Sequence, residues 1–294
     1  MDLKRILASG LAIAMLAGTV ALAGCSAEEE TTTEEETTSG EAVELEGSIT
    51  VQGSDTMLNI STAWSEAFMD ANPGVDISVQ GGGSGTGIAS LLNGTVDFAN
   101  ASREIKDEEL AEAETLGIDP VEHKVAIDGI AVVVNPANGV EELTIDQLGQ
   151  IFRGEVTNWS EVGGEDMAIV LLSRDSSSGT YEYFKEEVVG EDAEYAASAK
   201  LLPSNQAIAD EVAANEAGIG YIGLGYLTDD VSVVAIDGVK ASVETATDGT
   251  YPISRYLYMY SNGEVDGVMQ AFLEWILGAE GQQLVEDEGF VPLP

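Results

Sequence analysis

The stretch Leu172-Ser173-Arg174-Asp175-Ser176-Ser177-Ser178-Gly179-Thr180-Tyr181 gathers groups suited to holding an anion. A β-rich run, Ala168 to Leu172, leads into it, and a helix-like run, Tyr181 to Val188, leads out. The pattern predicts a strand end, a projecting arginine, then hydroxyls and a glycine at a helix N-terminus. Free backbone N–H groups and the positive end of the helix dipole meet there, which suits an oxyanion. The guanidinium fork of Arg174 adds charge-assisted hydrogen bonds. The chemistry expected is non-covalent grip on a small tetrahedral anion, with the other glycine- and hydroxyl-rich loops converging on it.

Three such loops lie upstream: Gly53-Ser54-Asp55-Thr56-Met57, Gly81-Gly82-Gly83-Ser84-Gly85-Thr86-Gly87, and Ala101-Ser102-Arg103. Each follows a strand-like run (Ser48 to Gln52, Val75 to Gln80, Val96 to Asn100). Each precedes a helical one: an apolar face from Leu58 through Trp64 and Phe68, a short helix through Leu92, and an acidic helix from Asp107 to Leu116. A repeated β-loop-α order predicts an α/β fold of mainly parallel sheets flanked by helices, with ligand groups outside the strand ends. The Gly81 to Gly87 run lacks the lysine of a Walker A loop, and Thr86 stands where Gly-x-Ser-x-Gly needs its last glycine. Its alternative is a plain flexible turn. Gly218-Ile219-Gly220-Tyr221-Ile222-Gly223 matches Gly-x-Gly-x-x-Gly, but β-formers follow it, so a tight backbone crossing is expected rather than a dinucleotide site.

Farther along, Val121 to Val134 is a long β-rich run containing Asp128-Gly129, which suits a crossing between two lobes. Thr144 to Phe152 reads as a helix, 154–164 as a loop holding Trp159, and Asn205 as the cap of a helix through Ala214. Gly218 to Leu224, Val231 to Ile236 and Tyr256 to Tyr260 read as strands, and Val268, Phe272, Trp275 and Ile276 line an amphipathic helix. This order divides the body into a first lobe, 47–127 plus 255–294, and a second, 128–254, with a cleft between them.

The N-terminus reads as processing signal. Lys4 and Arg5 precede an apolar run, and Leu22-Ala23-Gly24-Cys25 forms a lipobox. Residues 1–24 are expected to be removed and Cys25 to carry lipid, placing the protein on the extracytoplasmic face of the cell membrane; an uncleaved anchor helix is the alternative. Residues 25–46, rich in Glu and Thr, suit a solvated tether. Cys25 is the sole cysteine, so no disulfide framework exists. Only 11 Lys and Arg face 53 Asp and Glu, a net charge of −42, which argues against nucleic acid as a partner. It also repels distant anions, so binding must rest on short-range donors in a dry cleft, with salt screening the remainder. His123 is the only histidine and lies far from the serine loops. A Ser-His-Asp hydrolase, a metal site and a resident cofactor therefore find no support.

Gly53 to Met57, Gln80 to Gly87, Val96 to Arg103, Arg174 to Thr180 and Gly218 to Ile222 together resemble the phosphate-binding proteins of bacterial high-affinity ABC transporters. The resemblance spans about 47–294. It implies a two-lobed, type II solute-binding fold hinged around a cleft. It also implies a monomer that delivers inorganic phosphate to a membrane permease driven by a cytoplasmic ATPase. Carried over by position, ligand contacts fall on Thr56, the Met57 backbone, Ser84, Arg174, Ser178, Gly179 and Thr180. Long family members place a proton-accepting aspartate after Ala-Ser in the third loop, where this chain has Arg103. Arg103 then offsets ligand charge, and the acceptor is sought in Asp128 or Asp55, Asp128 being preferred. Another oxyanion (sulfate, molybdate, tungstate), a phosphate sensor or adhesin, and a surface phosphatase are the competing readings.

Overall fold

The computed structural model describes residues 45–294. The signal segment 1–24, Cys25 and nearly all of the 25–46 tether lie outside the described residues.

β1 (Gly47–Gly53), α1 (Leu58–Ala71), β2 (Val75–Gln80), α2 (Ser84–Leu92), β3 (Phe98–Ala101) and α3 (Asp107–Leu116) repeat strand, loop and helix three times. β1 pairs in parallel with both β2 and β3, so the loops leaving all three strands gather at one edge. There follow β4 (Pro120–Val134), β5 (Glu142–Leu143), α4 (Ile145–Arg153), β6 (Val170–Arg174), α5 (Gly179–Phe184), β7 (Lys200–Leu202), α6 (Asn205–Ala213) and β8 (Gly218–Gly223). β9 (Ser232–Val233), β10 (Ala235–Ile236), α7 (Val243–Thr247), β11 (Ser254–Asn262), α8 (Gly267–Leu277) and α9 (Ala279–Asp287) complete the described chain.

The main sheet runs β2-β1-β3-β11-β4-β8-β6-β7, with β9 beside β4. Both ends are parallel, while β11 and β4 run antiparallel through the middle. β4 passes through Asp128-Gly129 without a break. β11 pairs with it as far as Gly129, and β8 takes over at Ile130. The Asp-Gly step thus marks a change of partner strand. A Cβ at Gly129 would come within 3.0 Å of Leu224 Cδ1, so a side chain there would need Leu224 to shift.

Several boundaries differ from those expected. β6 continues through Arg174 because β7 pairs with Leu172, Ser173 and Arg174. The helix after it is short, Gly179–Phe184, and widens into a π turn over Lys185–Val189. Asn205 is not the cap of α6: Ser204 Oγ accepts the Ala207 N–H and does the capping, which frees the Asn205 side chain for other contacts. The Val231 to Ile236 run splits into β9 and β10, which pair with β4 and β5 respectively.

Gly218 to Gly223 is a wholly buried strand, as the crossing reading requires. A Cβ on Gly220 would lie 2.5 Å from Ile208 Cγ2, so the glycine lets α6 pack directly on β8. Behind β6, Tyr221 stacks on Phe184 at 3.9 Å, and Phe152 meets both rings edge-on at 5.5 and 4.9 Å. Such offset and edge contacts add to area burial and fix the strand that carries Arg174.

Candidate anion-binding site

Four loops meet at one buried point. Thr56, Ser84, Ser102, Ser178 and Thr180 are all buried. Thr56 sits in a short 3₁₀ turn, Asp55–Met57, directly after β1. Its Oγ1 lies 2.9 Å from Thr180 Oγ1, joining residues far apart in sequence. Ser84, the first residue of α2, accepts the Ser102 N–H at 3.0 Å. Gly179 packs onto this pair: a Cβ there would come 2.8 Å from Ser102 Oγ and 2.9 Å from Ser84 Cβ. The glycine run forms a seam with the serine loop. The Gly85 N–H donates to Ser177 O at 3.0 Å, and Ser177 Oγ donates to Gly82 O at 3.2 Å. Gly83, with φ of 92°, would place a Cβ 2.5 Å from Ser177 O, so only glycine fits.

Arg174 ends β6 with its side chain 1% exposed. Nη2 donates to Pro203 O at 2.9 Å and lies 3.3 Å from Asp55 Oδ2. Nε and Nη1 have no hydrogen-bond partner among the described residues. Burial pulls the Arg174 pKa down, and the Asp55 charge opposes this. Asp55 is already engaged, since Oδ2 accepts both the backbone N–H and Nδ2 of Asn205 at 2.9 Å each. Asn205 also donates to Thr56 Oγ1 at 3.3 Å and accepts the Gly223 N–H at 3.2 Å. It ties together the turn after β1, α6 and the end of β8. Nothing in its sequence position beyond a capping residue type announces that role.

Asp128 is fully buried and stands opposite Arg255 in the β4–β11 register. Oδ1 accepts the Leu224 N–H at 3.0 Å, and Oδ2 accepts Arg255 Nη2 at 3.1 Å. The same Nη2 donates to Thr180 Oγ1 at 2.7 Å, so this pair adjoins the hydroxyl cluster. Burial pushes the Asp128 carboxyl up, against the Arg255 charge and these hydrogen bonds.

Two of the expected contacts have partners of their own within the protein. Arg103 is held by Glu109 through both terminal nitrogens, at 2.8 and 2.7 Å, and also donates to Glu104 O at 2.8 Å. Burial pushes the Glu109 carboxyl up, but hydrogen bonds from Arg103 and the Lys106 N–H outweigh it and hold Glu109 below its ordinary value. The guanidinium is thereby neutralised at the start of α3, leaving Nε without a partner among the described residues. The Met57 N–H donates within its own turn, to Ser54 O at 3.2 Å. His123 lies apart, bonded to Ser261 Oγ at 2.8 Å. Among the described residues no group of three or more His, Cys, Asp or Glu is placed to hold a metal ion.

Arg255 and Ser102 are the participants that motif reading passed over. A signal for Arg255 was present. Arg255 and Leu257 are buried on either side of exposed Tyr256 in β11, and an arginine on a buried strand face calls for an anion beside it.

Residues 27–280 match the family model of the PBP superfamily domain. The phosphate-binding protein PstS of Bacillus subtilis is 37% identical over 233 residues, 79% of this chain and 76% of that protein. The chain belongs to the PstS family. PstS of Pseudomonas aeruginosa is 35% identical, covering 82% of this chain and 81% of its own. Among solved structures, a Clostridium perfringens protein assigned as a phosphate ABC transporter substrate-binding protein, with phosphate bound, superposes with a TM-score of 0.79. It is 33% identical and covers 84% of this chain and all of its own. An ABC-type phosphate transport receptor from Vibrio cholerae gives 0.71 at 27% identity, with the same coverage. The PstS fold therefore extends over the whole described body.

Proposed function

We propose that this chain binds inorganic phosphate at the meeting point of the four loops and hands it to an ABC permease driven by a cytoplasmic ATPase. The observation that carries the reading is a buried arginine, Arg174, with two nitrogens unpartnered among the described residues, beside a set of buried hydroxyls. Buried guanidinium donors are costly to leave unmatched, and a tetrahedral oxyanion supplies the acceptors. In this reading Thr56, the Met57 backbone, Ser84, Ser178, Gly179 and Thr180 hold the oxygens and Arg174 offsets charge. Arg103, tied to Glu109, shapes the third loop. The lobes 47–127 with 255–294, and 128–254, close on the ligand about β4 and β11. The protein works as a monomer held by lipid on Cys25 at the extracytoplasmic face.

Selectivity follows from the proton. Hydrogen phosphate carries at least one at neutral pH, and sulfate carries none. Asp128, whose basicity is raised by burial, accepts from phosphate but confronts sulfate charge to charge. In a dry site that mismatch is worth roughly 1,000-fold. Titration of the purified protein with phosphate, arsenate and sulfate tests the reading. Phosphate binds one to one, arsenate competes with it, and sulfate is weaker by about that factor. Tighter binding of sulfate, molybdate or tungstate overturns it, and turnover of a chromogenic phosphate ester would restore an enzyme reading.

A further inference from the structure

We propose that Arg255 is a second ligand-binding arginine of this site, donating directly to the bound oxyanion through Nε and Nη1. The inference rests on the reading of the four-loop cluster as an oxyanion site.

Position comes first. Arg255 lies opposite Asp128 in the β4–β11 ladder, so both side chains leave the sheet on one face. Its side chain is 2% exposed. One nitrogen, Nη2, makes both polar contacts: to Asp128 Oδ2 at 3.1 Å and to Thr180 Oγ1 at 2.7 Å. These anchor the guanidinium plane against a hydroxyl that itself touches Thr56 at 2.9 Å. Nε and Nη1 are buried and have no partner among the described residues. Arg174 shares this condition at the same two atoms.

Two buried arginines with unmet donors beside one hydroxyl cluster need an explanation. A purely structural Arg255 would be expected to spend its fork on Asp128 in a bidentate pair, as Arg103 does on Glu109. It makes a single-nitrogen contact instead, and Asp128 spends its other oxygen on the Leu224 N–H. The Tyr183 ring, 5.5 Å from the guanidinium carbon, braces the group, and its hydroxyl donates to Ser254 O at 2.7 Å. Burial and the Arg174 charge both pull the Arg255 pKa down, while Asp128 holds it up. An anion between the arginines removes that conflict. Arg255 also lines an open cleft of about 770 Å³ with Lys106, Tyr183, Tyr256 and Tyr258. It therefore borders both the cleft and the sealed hydroxyls, where an arriving anion meets it.

The decisive variant is Arg255→Lys, which keeps a positive charge opposite Asp128 but removes the Nε and Nη1 donors. Inorganic phosphate and sulfate are titrated calorimetrically into wild type and variant, and the ligand-free melting temperature is recorded for each. Phosphate affinity is expected to fall roughly 10- to 100-fold, the loss of charge-assisted hydrogen bonds. Wild-type affinity in Arg255→Lys overturns the proposal. If that variant does not fold, Asp128→Asn is compared with the double variant Asp128→Asn/Arg255→Gln, which removes the buried charges together. A further loss of at least tenfold in the double variant is expected, and equal affinities overturn the role. Should wild type bind sulfate and not phosphate, the phosphate reading fails, and the same variants are scored with sulfate. If wild type binds neither anion, the site reading and the Arg255 role fall together.

Discussion

Asp128 survives without solvent because the Leu224 N–H and the Arg255 guanidinium each take one of its oxygens. Each oxygen keeps a second lone pair, which is what a P–OH donor needs. Asp128→Asn replaces one acceptor oxygen by a donor and leaves Arg255 without its counter-charge. The expected outcome is weaker phosphate binding and a narrower preference over sulfate, read as the ratio of the two calorimetric affinities. Stability should fall by about 3–5 kcal/mol, the cost of breaking a buried pair from one side. An unchanged ratio would remove Asp128 from the site. The sequence singles out Asp128 because an Asp-Gly step inside an apolar run is conspicuous. It leaves Asp55 open, and that carboxylate is occupied by Asn205, a contact between residues 150 positions apart. Arg103 reads as a site cation because it follows Ala-Ser. Its capture by Glu109, six residues later, depends on how α3 starts. Pairings of this kind are set by tertiary placement and leave no local pattern.

Among the elements, β6 and β8 decide where Arg174 points. Tyr221 on β8 lies 2.7 Å from Ser173 Oγ, accepts the Arg174 N–H at 3.3 Å and contacts the Tyr195 hydroxyl at 3.1 Å. Burial pushes both phenols far above their ordinary range, so they act as neutral hydrogen-bonding groups. Tyr221→Phe retains the stack on Phe184 but orphans these partners. Chemical denaturation should show a loss of about 1–3 kcal/mol with an unchanged denaturant slope. A midpoint equal to wild type would show that the hydroxyl holds nothing in place. The strong periodic elements were legible beforehand: β2 and α3 fall where apolar alternation and the acidic helical run put them. The two-residue strand β5 and the three-residue β7 were not, because so few residues carry no period and exist only through their partners. The overlong reading of the helix after Arg174 has a similar origin, since the π turn over Lys185–Val189 opens with the helix formers Lys185, Glu186 and Glu187.

The whole molecule holds an anion site inside a chain of net charge −42. Long-range Coulomb repulsion and short-range recognition therefore oppose each other, and the balance is set by distance. Beyond a Debye length of about 8–10 Å salt removes most of the repulsion, whereas donors within 3 Å in a dry site are scarcely screened. The chain gathers two of its five arginines, Arg174 and Arg255, beside one set of hydroxyls, and draws the loops after β1, β2, β3 and β6 onto them. The central claim is that this junction, organised by Arg174, is a phosphate receptor. Calorimetric titration of inorganic phosphate into wild type and Arg174→Ala, at one fixed salt concentration, tests it most directly. The account predicts saturable one-to-one binding by wild type and no measurable heat of binding in the variant. Retained micromolar affinity in Arg174→Ala would contradict it.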